Sequence, residues 1–166
     1  NKLGSSIMKK AETASIQAFP RVDIDWNPRI PPLKKVKDKT KINVRYSLIS
    51  PFAFAHVHWD PKKFEVVYDI EEPQLDTQEV QYRTELLSAM REMISVEFVV
   101  GNDREKLMEY IDRMLRILSI ELGMNLSYES FKKIYYYLCR DFIGFNGIEP
   151  LLRDYYIEDI ECNGAD

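Results

Sequence analysis

Residues 52–70 read FAFAHVHWDPKKFEVVYDI. Phe52, Phe54, His56 and His58 alternate with Ala53, Ala55, Val57 and Trp59, which is the two-residue period of a strand; Ile42, Val44 and Tyr46 alternate just upstream. Asp60, Pro61, Lys62 and Lys63 make a turn, and the stretch from Phe64 to Ile70 is rich in β-branched and aromatic residues. The run therefore predicts a β-hairpin with a four-residue connection, or a small antiparallel sheet. An isolated hairpin is marginal in water, so it must pack on the helices downstream of it.

Those downstream residues have helical period. One helix opens at Asp76, with Glu79 three positions on as in a capping box, and shows Tyr82, Leu86, Met90 and Ile94. A second opens at Asp103, shows Leu107, Ile111, Met114, Leu115, Leu118 and Leu122, and stops at Gly123. The third opens at Ser127, shows Phe131, Ile134, Tyr135, Leu138 and Phe142, and stops at Gly144. All three fit the i, i+3, i+4, i+7 template, and short connections predict a small bundle.

The flanks differ in character. Residues 1–41 have no sustained period and carry Pro20, Pro28, Pro31 and Pro32 with the basic run Lys34, Lys35, Lys37, Lys39 and Lys41, so they read as an extended basic arm. Ile16, Phe19, Ile24, Trp26 and Ile30 are too many apolar groups for a pure linker, and part of the arm should lie against something. Beyond Gly147, Pro150 sits in the first turn of a short helix, and Asn163-Gly164 is a strong hairpin turn with only two residues after it. The expected organisation is thus α+β. It has an arm over 1–41, a β-hairpin or small sheet plus three-helix domain over 42–147, and over 148–166 the start of a second, truncated α/β subdomain. A chain that begins with Asn1 and breaks off in a hairpin reads as a fragment of a longer protein.

Composition narrows the function. With 166 residues, 45% hydrophobic and 12% aromatic, the chain can bury a core and is not a disordered segment. No run reaches the roughly 18 apolar residues of a membrane span, and the N-terminus as given lacks the short apolar block of a secretory signal, so the expectation is a soluble, cytosolic protein. Two cysteines, Cys139 and Cys162, are too few for a disulfide framework. The net charge of −4 conceals opposite halves: residues 1–51 hold 11 basic and 4 acidic groups, and the remainder hold 12 and 23. That balance does not describe a uniformly basic nucleic-acid binder. The lysine run can neutralise the acidic body, meet anionic lipid headgroups, bind phosphates, or stay a solvated linker.

Chemistry is sparse. His56 and His58 share a strand face and could share a metal, but no third ligand is nearby in sequence. Cys139 lies beside an apolar helical stripe and reads as a buried, inert thiol. Tyr135, Tyr136 and Tyr137 stand about 100° apart around a helix and cannot form one stacking platform. The C-terminal carboxylates Glu149, Asp154, Glu158, Asp159 and Glu161 read as a solvated acidic edge. No GxxxxGK[ST], GxGxxG, HExxH or GxSxG motif occurs, so no reaction, catalytic residue, cofactor site or metal site is assigned to these residues.

The order of segments is more telling. Residues 134–146 read IYYYLCRDFIGFN, 148–154 read IEPLLRD and 156–160 read YIEDI, and upstream 68–73 read YDIEEP before a long helix. Together they resemble the N-terminal region of archaeal type II/type IV secretion ATPases, the family of GspE-like pilus and secretion ATPases and the archaellum motor ATPase. The resemblance covers roughly residues 64–164, with Asp154-Tyr155-Tyr156 and Cys162-Asn163-Gly164 where the family usually has Asp-Pro-Tyr and Cys-Asp-Gly. It implies a hexameric motor whose absent RecA-like domain binds ATP and Mg2+. It also implies partners: that motor domain, neighbouring subunits and a polytopic membrane platform protein at the cytoplasmic face of the cell membrane. None of the family's nucleotide motifs has a counterpart here. Arg140, Asp141, Arg153 and Asp154 are the charged residues expected at moving interfaces, and the basic arm could touch anionic lipid, with nucleic acid disfavoured. The alternatives are a freestanding adaptor with no motor and, behind it, a nucleic-acid module.

Overall fold

The computed structural model describes residues 16–93, 103–144 and 146–158. Ile94, Asp159, Ile160, Cys162 and the Asn163-Gly164 turn lie outside them. The described architecture is α+β, a three-stranded antiparallel sheet and three main helices. The chain divides into two compact units, one from residues 1–23 and 74–146, the other from 24–73 and 147–166.

The sheet unit holds β1 (Asn43–Ile49), β2 (Ala53–Asp60) and β3 (Glu65–Glu71) in the order β1-β2-β3. Of the two readings of the β stretch, the small sheet is therefore the one formed. Pairing runs Val44↔Val57 and Tyr46↔Ala55 on one side, and Val57↔Tyr68 and Ala55↔Ile70 on the other. Because side chains alternate, these residues share one face, while Arg45, His56, His58, Asp69 and Glu71 share the other. The register shifts between Ser47 and Ile49, so Leu48 is an extra residue in β1, and Leu48 and Ile49 are both fully buried. Strict alternation would have exposed one of them.

The β2–β3 connection differs by one position from the sequence expectation. Asp60 still pairs with Glu65, and its Oδ1 accepts the Lys62 and Lys63 amides at 2.8 and 3.4 Å, an Asx-type turn. Phe64 is not in the strand: it closes the turn in the left-handed region, with φ of 55°. A short helix, α4 (Glu149–Leu152), packs on β1, with Pro150 in its first turn as the sequence indicated.

The helical unit holds α1 (Thr77–Met93), α2 (Arg104–Glu121) and α3 (Tyr128–Ile143), each in contact with the other two. Their starts are chemically fixed. Asp76 Oδ1 accepts the Glu79 amide at 2.8 Å while Glu79 Oε2 accepts the Asp76 amide at 2.9 Å, a reciprocal capping box. Asp103 and Ser127 accept the Lys106 and Ser130 amides at 3.2 and 3.1 Å. Gly123, with φ of 65°, ends α2 in a conformation that costs other residues energy. Leu86, Ile111, Leu115, Phe131, Ile134 and Leu138 are fully buried, each worth about 1.5–3 kcal/mol of transfer free energy. Leu122, read as part of the stripe, is half exposed past the end of α2.

The arm is partly tied down in both units. Arg116 is held by Asp112 through Nε–Oδ2 and Nη2–Oδ1 bonds of 2.8 and 3.0 Å, and its Nη1 donates to the carbonyls of Ile16 and Phe19 at 2.8 and 3.1 Å. Phe19 meets Tyr128 and Phe131 at ring distances of 5.3 and 5.5 Å. Within the sheet unit, Asp25 exchanges two backbone bonds with Ser50, each 2.9 Å.

Candidate functional site

The four charged residues singled out in sequence fall into two clusters, one per unit. Arg153 and Asp154 follow α4 in the sheet unit. Asp154 is 4% exposed, and its Oδ2 accepts the hydroxyls of Tyr46 at 2.7 Å and Tyr68 at 2.5 Å. Its Oδ1 accepts the Tyr156 amide at 2.9 Å. Burial first, then the neighbouring carboxylate, pushes both phenols well above the ordinary tyrosine range, so both remain donors at any physiological pH. A buried carboxylate with three donors aimed at it from separate segments serves as a latch. The tyrosines come from β1 and β3, so Asp154 fastens residues 153–158 across the sheet.

Arg153 makes the adjoining clasp. Its Nε donates to Glu149 Oε1 at 2.6 Å, its Nη2 to the same oxygen, and its Nη1 to Asn27 Oδ1 at 3.0 Å. Glu149 is 1% exposed, so this pair resists screening by salt far more than a surface bridge does. Tyr156 extends the clasp to the arm: its hydroxyl accepts the Leu33 amide at 3.2 Å and donates to the Pro31 carbonyl at 3.3 Å. The expected solvated acidic edge is thus, at Glu149 and Asp154, a set of buried and partnered groups. For Asp154 little local in the sequence marks this, since the two tyrosine hydroxyls it accepts lie 86 and 108 positions away, whereas Glu149 pairs with Arg153 four positions on.

Arg140 and Asp141 stand at the end of α3 in the helical unit. The Asp141 side chain, 3% exposed, accepts Arg83 Nη2 from α1 and lies 3.4 Å from Arg140 Nη2. Both guanidiniums also lie on the Tyr137 ring, Arg83 at 5.0 Å and Arg140 at 4.7 Å. Tyr135 and Tyr136 are buried, so the tyrosine run serves the interior and a cation stack, not a base platform. A second cross-helix tie, unread in the sequence, joins Lys133 Nζ to Glu79 Oε2 at 2.6 Å. Burial opposes charge on Glu79, but the Lys133 ammonium and the Asp76 amide outweigh it and hold its carboxyl below the usual range.

The histidines behave as a paired surface ladder. Their rings are 4.6 Å apart, His56 Nδ1 is 3.0 Å from Glu71 Oε1, and His58 Nε2 is 2.8 Å from Asp69 Oδ2. No group of three or more His, Cys, Asp or Glu side chains among the described residues is placed to hold a metal. Cys139 is fully buried and burial pushes its thiol far up, which makes it inert.

The lysine run ends against the sheet. Lys39–Lys41 form a 3₁₀ turn capped by Asp38, whose Oδ1 accepts the Thr40 amide at 3.1 Å, and that turn packs beside β2. Leu33, Lys34, Val36, Ile42, Val44 and Val57 line a crevice of about 180 Å³ there.

No protein-family model matches the chain. Among curated proteins, one of Methanocaldococcus jannaschii, described as uncharacterized protein MJ1288, is 29% identical over 98 residues, which is 59% of this chain and 38% of that protein. The chain therefore spans well under half the length of that relative. No helix among the described residues is long and apolar enough to cross a membrane.

Proposed function

We propose that the chain is the non-catalytic N-terminal portion of a hexameric secretion, pilus or archaellum assembly ATPase. In this reading it passes the ATP-driven motion of a RecA-like motor domain to a polytopic membrane platform protein at the cytoplasmic face of the cell membrane. The observation that carries the reading is the ordered run of segments from YDIEEP at 68–73 through IEPLLRD at 148–154. The side-chain ties support it. A part that transmits displacement has to move as stiff bodies whose contacts differ between nucleotide states. The Asp154 latch stiffens one unit, and the Arg83–Asp141 and Lys133–Glu79 pairs stiffen the other. Arg140, Asp141, Arg153 and Asp154 then act as internal braces of those bodies, not as exposed contact charges.

Magnesium-dependent ATP hydrolysis tests the reading. The native full-length protein should turn over ATP, and the isolated 166-residue chain should stay at the blank. Turnover by the isolated chain that a point substitution within it abolishes would defeat the reading. A native protein with no turnover would favour the freestanding adaptor.

A further inference from the structure

The β2–β3 turn carries an aromatic residue that folding does not account for. Phe64 is 79% exposed, so it contributes almost nothing to a core, and its φ of 55° lies where any residue but glycine is strained. A bulky aromatic in that position is unfavourable on both counts. Lys62 and Lys63 precede it, all four residues of the connection are exposed, and Val66 beyond it is 39% exposed.

The register brings further charge to the same place. Asn43 pairs with His58, and the Ile42 carbonyl accepts the Trp59 amide at 3.0 Å, so β1 begins at the end of the sheet where the β2–β3 turn lies. The Lys39–Lys41 turn that leads into β1 is therefore at that end too, with Lys39 and Lys41 exposed. Asp38, Asp60 and Glu65 are also there. Asp38 is occupied with the Thr40 amide and hydroxyl and stands 3.6 Å from Lys41, and Asp60 with the Lys62 and Lys63 amides. Lys39, Lys41, Lys62 and Lys63, with Lys34 on the crevice beside Ile42 and Val57, leave an excess of two positive charges over those three carboxylates.

We infer that this end of the sheet is a docking surface for an anionic lipid bilayer, with Phe64 entering the headgroup boundary and the lysines meeting lipid phosphates. One protruding aromatic on a four-residue turn cannot bury the roughly 800 Å² per partner of a stable protein interface. An exposed aromatic that follows Lys62 and Lys63 and shares its end of the sheet with the Lys39–Lys41 turn matches a charged membrane surface, where each lysine near the headgroups strengthens binding about fivefold. The surface deepens the membrane-side placement proposed above and rests on it for that placement alone, since a chain with no motor attached would carry it equally.

Sedimentation of the 166-residue chain with vesicles tests the inference. Wild type should pellet with vesicles of equal parts phosphatidylglycerol and phosphatidylcholine and stay in solution with phosphatidylcholine alone. Phe64→Gly suits the observed φ and keeps the fold, yet should weaken pelleting about tenfold. Lys62→Glu with Lys63→Glu should abolish it. In Phe64→Trp, emission in excess of wild type should be quenched by brominated acyl chains in anionic vesicles only. Wild-type pelleting by Phe64→Gly would make the patch a plain attractor of any polyanion, and would overturn the inference. So would equal binding to neutral vesicles, unquenched Phe64→Trp emission, or no pelleting at all. A native protein without ATP turnover that still pellets with anionic vesicles would remove the motor and leave this surface standing.

Discussion

Tyr68 donates its hydroxyl to Asp154 at 2.5 Å across 86 positions of sequence, on the same carboxylate oxygen that Tyr46 reaches at 2.7 Å. One side chain thereby joins β1, β3 and the segment after α4. Removing it strands two phenols in a buried site, so Asp154→Ala should destabilise the sheet unit by about 3 kcal/mol, and Tyr68→Phe by about 1.5 kcal/mol. Denaturant unfolding of each variant measures this. The pair Tyr46→Phe and Tyr68→Phe should be non-additive, because both act through one acceptor.

Lys133→Ala should cost about 2 kcal/mol, since it leaves Glu79 charged, 4% exposed and without its cation. The pH dependence has a definite sign. The Glu79 carboxyl is held below 4.5 in the folded protein, so its contribution is fully present above that value and fades as pH falls through the folded-state value. The deficit of the variant should therefore shrink in acid, as thermal melts across that range would record.

How far these features are legible in the sequence depends on how local their causes are. Asp76, Asp103 and Ser127 mark the helix starts because a cap acts within three residues, and the alternation of Val44 and Tyr46 or His56 and His58 acts within two. The Asp154 latch, the Arg153 bond to Asn27 and the Arg116 grip on Ile16 join residues 86 to 126 positions apart, and no periodicity carries that information. Arg140, Asp141, Arg153 and Asp154 stand out by charge, but a sequence does not tell a buried brace from an exposed contact. Phe64 has a local signal: it follows an Asp-Pro-Lys-Lys turn at the position where a left-handed residue restores strand twist. Its residue type favours strands, and that preference masks the turn signal in the sequence.

His58 should titrate above the ordinary histidine value of 6.5, because its bond to Asp69 stabilises the imidazolium. A raised folded-state value means that the stability it lends is fully present below 6.5 and is lost as pH rises through the folded-state value. Proton NMR of the His58 ring should show the elevated midpoint, and Asp69→Asn should bring it down.

Phe64→Gly should raise stability by about 0.5 kcal/mol, the relief of left-handed strain less the greater freedom of glycine in the unfolded chain. A melting temperature below wild type would mean that the Phe64 ring contributes to the folded state despite its exposure.

The reading of the whole chain as one part of a motor turns on what the native protein contains beyond these residues. Sequencing the native coding region past Asp166 tests it most directly. The proposal requires the same reading frame to continue into a phosphate-binding GxxxxGK[ST] loop and a RecA-like domain. A stop codon close after Asp166 would contradict it and leave an adaptor in its place.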